Sequence, residues 1–299
     1  MDKEVNTPQH IRPIFQNIPF WNPTKILDHE IGKKIHRMDL NECPYPPSPK
    51  VIEAMSGVAD TLNRYPDGTC PELTPIMAER IGVPENTITW GGGSTQLLTA
   101  IAEISVAPGQ NLVTPELVWK RFHGVYKIVD AAVSWVPNKA DGGIDVEALT
   151  GAIGNDTRLL VCITPNNPTG MMLSEEEIRH VSENTPENVL LFMDEAYHEF
   201  AVHAGGPNAL EIMRDRKGPW AITRTFSKAY AMAGVRLGYA ICSSPETVDA
   251  IRMVSSTFNL NGFAEAAAVA ALKDADYTQF ILDKNAEERD RIVEGLREL

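Results

Sequence analysis

Basic residues are scarce in this chain: 27 Lys and Arg stand against 40 Asp and Glu in 299 residues, a formal charge of −13. A surface of that sign repels phosphate backbones and anionic bilayers. Nucleic acid and membrane are therefore excluded as general partners, although one local basic pocket for a phosphate is not. Cysteine is equally sparse. Cys43, Cys70, Cys162 and Cys242 stand alone, with no Cys-x-x-Cys pair, which argues against a zinc site and against a disulfide framework. None of the seven histidines has metal-ligand spacing to another plausible ligand. No uninterrupted apolar run reaches the roughly 18 residues of a membrane-spanning helix. The opening Met1-Asp2-Lys3-Glu4-Val5-Asn6 has no signal-peptide core, so a cytoplasmic location is expected. A Gly-x-Gly-x-x-Gly turn is also missing. The run Gly91-Gly92-Gly93 does not fit that spacing, which sets a nicotinamide-binding fold aside.

What is present is a chain with 43% hydrophobic residues, long enough for one large domain and a smaller one. Pro8, Pro13, Pro19 and Pro23 break any long helix in residues 1–40, while Phe15, Phe20 and Trp21 favour packing of this stretch as an arm. Ser48 followed by Pro49 predicts a capped helix start. Apolar runs at Leu159–Thr164 and Val189–Met193 read as buried strands. The first enters the turn-forming cluster Pro165-Asn166-Asn167-Pro168-Thr169-Gly170, and the second ends in Asp194-Glu195-Ala196-Tyr197. Strands with polar residues at their carboxyl ends, separated by helical stretches, describe an α/β sheet with its ligand crevice at those ends.

The most informative stretch is Ser227-Lys228-Ala229-Tyr230-Ala231-Met232-Ala233-Gly234-Val235-Arg236. It lies between the strand-like runs Trp220–Ile222 and Leu237–Ile241, with Thr225 just ahead and Arg236 placed two helical turns after the lysine. A lysine used for Schiff-base chemistry needs a fixed, partly desolvated site. The hydroxyls and arginine suit a phosphate. A second phosphate element is Gly91-Gly92-Gly93-Ser94-Thr95, glycines opening an apolar-periodic helix whose first amides face an anion.

These motifs, in this order, resemble the fold-type I pyridoxal-phosphate (PLP) enzymes of aminotransferase class I/II, in the branch that includes histidinol-phosphate aminotransferase. The resemblance covers about residues 38–299, and Leu40-Asn41-Glu42-Cys43-Pro44 is similar to that family's Asn-Glu-x-Pro segment. It implies a mostly parallel central sheet flanked by helices, with an N-terminal arm over 1–40 and a large cofactor domain over 41–265. Helices over 266–299 would lead to a small domain that the sequence leaves incomplete.

For the site, the resemblance implies Lys228 as the lysine that holds PLP and Asp194 facing the pyridine nitrogen. Tyr197 and Asn167 would face the ring's phenolic oxygen, and Trp119 would stack on the ring. Ser94, Thr95, Thr225, Ser227 and Arg236 would grip the phosphate, joined by Tyr65 from the other subunit of a homodimer. Asn166 reads as a turn residue. The implied reaction moves an amino group between an amino acid, or an amino-alcohol phosphate such as histidinol phosphate, and a 2-oxo acid. The same residues would also serve a PLP decarboxylase, lyase or oxidase, or a weakly active PLP-binding remnant. The Tyr-x-Pro-Gly segment usual in the histidinol-phosphate branch is missing from the leader.

Overall fold

Short apolar runs, most of them buried on both faces, become the strands of one sheet. The computed structural model describes residues 38–298, so the arm expected over 1–40 lies, up to residue 37, outside the described residues. The strands are β1 (Ile88–Gly91), β2 (Asn111–Pro115), β3 (Ala132–Val136), β4 (Thr157–Ile163), β5 (Leu190–Asp194), β6 (Trp220–Thr225) and β7 (Gly238–Cys242). Their order across the sheet is β1-β7-β6-β5-β4-β2-β3. The pairings from β3 to β6 are all parallel. Only β7 reverses, running antiparallel to both β1 and β6. The sheet is mostly parallel, as expected.

Helices α1 (Pro49–Gly57) and α2 (Leu73–Ile81) precede it in the chain. Next come α3 (Ser94–Ser105), α4 (Arg121–Ile128), α5 (Val146–Gly151) and α6 (Glu175–Asn184). Then follow α7 (His198–His203), α8 (Ala209–Met213), α9 (Pro245–Val254), α10 (Ala264–Leu272) and α11 (Ala275–Arg297). Ser48 caps α1 as its sequence predicts, accepting the Lys50 amide at 3.2 Å with Pro49 as first helical residue. In α10 the small residues Ala264, Ala267, Ala268 and Ala271 are buried, which lets that helix close on α1. No described helix is long and apolar enough to cross a membrane.

Successive strand residues point to opposite faces, and the two faces feed two separate cores. Leu159, Val161, Ile163, Phe192 and Ala221 join Leu97 and Ile101 of α3 and Phe122 of α4. Leu160, Cys162, Leu191, Met193 and Ile222 join Ile178 of α6 and Leu210 and Met213 of α8. The same alternation, carried past the strand ends, decides what each polar residue there meets. Asp194, Thr223 and Thr225 continue the α3 face. Glu195 and Arg224 continue the α8 face.

The link after Lys228 corrects the sequence reading. Arg236 does not lie two helical turns on: the chain makes irregular turns and one 3₁₀ turn, Ala233–Val235. Arg236 itself is left-handed, at φ 58°. This compact link turns the chain so that β7 returns antiparallel beside β6, and it keeps Arg236 near Lys228.

Candidate active site

Because β1 and β6 both run opposite to β7, their carboxyl ends share one edge of the sheet, in register through Gly91↔Gly238 and Thr225↔Gly238. That pairing brings together the residues expected to grip a phosphate. After β1 the chain turns through Gly93, at φ 84°, directly into α3. Helix geometry leaves the amides of Ser94 and Thr95 without intrahelical partners. Arg236 closes the cup, donating from Nη1 to Ser227 Oγ at 3.4 Å and from Nη2 to the Gly92 carbonyl at 3.3 Å. The hydroxyls are ordered from beneath: Thr225 Oγ1 donates to Ser227 Oγ at 3.0 Å and accepts the Ser227 amide at 3.2 Å. Two glycines are required here. A Cβ on Gly93 would stand 2.2 Å from Arg236 Nη2, and one on Gly238 would stand 2.4 Å from the Ser94 amide nitrogen. Gln96 adds a support that the sequence reading missed, accepting the Gly92 amide on its side chain at 2.6 Å.

The second part of the site stands on the ends of β4 and β5. Asp194 is buried, and burial lifts its carboxyl to about 6. The Thr223 hydroxyl, donating at 3.1 Å, and the Ala196 amide only partly offset that rise. Tyr197 accepts hydrogen bonds on its phenol oxygen from Asn41 Nδ2 at 2.9 Å and Asn167 Nδ2 at 3.4 Å. Burial raises its pKa, and the two amides work against that rise. The Lys228 ammonium lies 5.7 Å from the centre of the Tyr197 ring. It donates to the carbonyls of Leu40 and Asn41 at 2.9 and 3.0 Å. Burial lowers the Lys228 pKa, with Glu42 opposing and Arg236 adding to the effect. A half-buried amine of lowered pKa is what a nucleophilic lysine needs.

The structure therefore brings Lys228, Tyr197 and Asn167 together. It places Asp194 as the last residue of β5, and Ser94, Thr95, Thr225, Ser227 and Arg236 around one glycine turn. Trp119 lies exposed just ahead of α4, on the loop following β2. Tyr65 is exposed and stacks on Phe258 with ring centres 4.0 Å apart. Neither is hydrogen-bonded to the Lys228 group among the described residues. Asn166 is a buried tie, donating to the Leu117 carbonyl at 2.8 Å and to Thr169 Oγ1 at 3.1 Å.

A cup of free amides, hydroxyls and one arginine fits a phosphate. A buried carboxyl held high by burial fits a protonated pyridine nitrogen as its counter-charge, and a depressed lysine fits an aldehyde. The chain's own residues thus match PLP at each of its ends. Fold and site define a PLP-dependent transferase.

The comparisons narrow the class. The family model "Aminotransferase class I and II" matches residues 33–299. The chain is 35% identical to a histidinol-phosphate aminotransferase of Staphylococcus carnosus, over 90% of this chain and 76% of that protein. It is 34% identical to an aromatic amino acid aminotransferase of Thermobifida fusca, over 97% and 79%. Among solved structures, a histidinol-phosphate aminotransferase of Sinorhizobium meliloti in complex with pyridoxal-5'-phosphate superimposes with a TM-score of 0.87 at 30% identity. That match covers 96% of this chain and 77% of the other. This chain belongs to the class I and II aminotransferases, and it is a PLP-dependent enzyme of that family.

Proposed function

We propose that the amino donor is histidinol phosphate or an aromatic amino acid and the acceptor a 2-oxo acid, with Lys228 as the residue that carries the cofactor. The observation behind the Lys228 assignment is its place between the phosphate cup and the Tyr197–Asn167 pair, with a pKa lowered by burial. The substrate reading is supported by relatives of both kinds at 35% and 34% identity.

Bound PLP supplies an electron sink for the pair left when the donor's Cα loses its proton. The remaining work falls to the protein. Ser94, Thr95, Thr225, Ser227 and Arg236 anchor the phosphate through charge-assisted and hydroxyl bonds. Asp194 holds a proton at the pyridine nitrogen. Tyr197 and Asn167 would direct hydrogen-bond donors to the ring oxygen. Trp119 would offer an apolar surface to a face of the ring. Lys228 Nζ, once free, takes the proton from Cα as general base.

Borohydride reduction of the loaded protein followed by peptide mapping should label the peptide carrying Lys228. Label on another lysine removes the assignment. A single-turnover panel of donors, followed by the absorption of bound cofactor, should show histidinol phosphate or an aromatic amino acid reacting fastest. Aspartate or alanine leading the panel would overturn the substrate reading.

The working form is a homodimer, with Tyr65 reaching the phosphate of the neighbouring subunit. Support comes from the exposed stack of Tyr65 on Phe258 and the exposed Leu62, Met253 and Val254 nearby in sequence, an apolar surface suited to a second copy. Losing Tyr65 should weaken cofactor binding by about 1 kcal/mol. Mixing Lys228→Ala with Tyr65→Ala should restore activity above that of either alone, because a mixed dimer holds one intact site. A monomer under cofactor-saturated conditions contradicts this.

A further inference from the structure

Asn41 stands 156 residues from Tyr197 in sequence, yet its side chain makes the shorter of the two amide bonds to that phenol, 2.9 Å against 3.4 Å from Asn167. Its backbone is left-handed, at φ 50°. Asparagine adopts this conformation more readily than most residues with a Cβ. The turn brings the carbonyls of Leu40 and Asn41 onto Lys228 Nζ at 2.9 and 3.0 Å. One residue therefore touches both the phenol and the amine, from two different groups.

The direction of the bonds matters. Asn41 Nδ2 can only donate, so the Tyr197 oxygen is the acceptor and its own proton must point elsewhere. A hydroxyl that accepts one hydrogen bond also becomes a stronger donor in the next. We propose that Asn41 is a positioning residue of the site: its side-chain amide frees and strengthens the Tyr197 hydroxyl as donor to the cofactor's ring oxygen, while its carbonyl and that of Leu40 hold the Lys228 amine beside it when that amine is free. The inference rests on the reading of Tyr197 as donor to that oxygen. A plain tether would use the same two contacts only to pin the segment around residue 41 to the sheet, and the two roles differ in what they do to a proton.

The charged groups around this pair are Asp194 at the end of β5, Glu42 on the same segment as Asn41, and Arg236 ahead of β7. All three stay in place in the variants chosen. Asn41→Gly keeps the left-handed backbone and both carbonyls and deletes only the amide. Asn41→Asp keeps the backbone conformation and a side chain of the same shape, but its ionised carboxylate cannot donate. The readout is the midpoint of the pH titration of the bound cofactor's visible absorption, which reports how tightly a proton is held on the Lys228 nitrogen beside the ring oxygen. With fewer donors, the ring oxygen keeps more negative charge and holds that proton to higher pH. Tyr197→Phe should therefore raise the midpoint. Asn41→Gly should raise it by roughly half a pH unit, the scale of one modest hydrogen bond. Asn41→Asp should raise it at least as far. In the Tyr197→Phe background, Asn41→Gly should add nothing, because its effect passes through the missing hydroxyl. A midpoint unmoved by Asn41→Gly and Asn41→Asp while Tyr197→Phe moves it overturns the proposal alone. So does an equal shift from Asn41→Gly with and without the Tyr197 hydroxyl. A midpoint unmoved by Tyr197→Phe itself overturns the proposal together with the reading of Tyr197 beneath it.

Discussion

Asp194 and Glu195 are neighbours in sequence, both carboxylates and both buried, yet the two faces of the sheet treat them in opposite ways. On the α3 face, Asp194 meets one hydroxyl and one amide, and burial lifts it to about 6. On the α8 face, burial would raise Glu195 as well, but the Arg224 guanidinium and His198 together outweigh it and hold that carboxyl at about 2. Arg224 Nη2 and Nε lie 2.7 and 2.8 Å from the same carboxylate oxygen. Its second Nη2 contact, to Asn208 Oδ1, is 3.1 Å long. Arg224 is itself held charged: burial works against it, and Glu195, joined by Tyr239 and Glu199, prevails. The comparison separates two uses of a buried acid. Glu195 has its partner inside the fold and serves the scaffold. Asp194 has no such cationic partner among the described residues, which suits its proposed place beside the cofactor's pyridine nitrogen.

The largest expected effect comes from breaking the paired side. Arg224→Met keeps an unbranched side chain of similar length but leaves Glu195 a buried, uncompensated charge. Removing one partner of a buried pair typically costs about 3–5 kcal/mol. The sign of the pH dependence follows from the depressed pKa. Glu195 contributes stability that is fully present above its unfolded value near 4.5 and is lost as pH falls toward about 2. In Arg224→Met that contribution is gone, so denaturant melts should show a larger deficit at pH 7 than at pH 4. A variant as stable as the parent at pH 7 would mean that the ion pair does not hold this face.

Asp194→Asn tests the unpaired side, with the opposite sign. A carboxyl raised from 3.8 to about 6 binds protons more tightly in the folded state, so folding loses stability as pH rises through that window. A rise of this size amounts to about 3 kcal/mol at about 1.4 kcal/mol per unit. Without cofactor, Asp194→Asn should lack this slope between pH 4 and pH 6 and be more stable than the parent at pH 7. Loaded with cofactor, it should deprotonate the donor's Cα slower by orders of magnitude, because an unprotonated ring is a poor electron sink. A variant that gains no stability and reacts at the parent rate would return Asp194 to the role of a structural acid.

Much of this was legible before the fold was known, for identifiable reasons. Runs such as Leu159–Ile163 and Leu190–Met193 are apolar on both faces because helices cover both sides of a parallel sheet. Lys228, Asp194 and Arg236 stood out because chemistry needs those residue types beside strand ends. The reversal of β7 was hidden. Its five residues are buried throughout and read alike in either direction, and the link over residues 226–237 is long enough for a parallel crossover. Glu195 meets Arg224 across 29 residues and Asn41 meets Tyr197 across 156. Those contacts depend on which strands become neighbours, and no local spacing encodes that.

The smallest effect sharpens the comparison within a single residue type. Thr223 lies opposite Asp194 in the parallel register of β5 and β6, and its hydroxyl donates to Asp194 Oδ1 at 3.1 Å. It is the first of the two hydrogen bonds that restrain the rise of that carboxyl. Thr223→Val keeps the β-branched shape at a fully buried position and removes the donor, so the charged form of Asp194 loses support while the neutral form loses less. The variant should be destabilised by about 1 kcal/mol at pH 7, the scale of one hydrogen bond, and by a smaller amount at pH 4, where Asp194 is mostly neutral on folding. Urea melts of the cofactor-free protein at the two pH values measure the difference. An equal loss at both would show that the hydroxyl matters to packing and not to the charge. A change confined to the acid limb below pH 4.5, where Glu195 titrates in the unfolded chain, would show that the two faces share their electrostatics through the strand. The contrast between the two acids would then belong to the pair as a unit and not to each face separately.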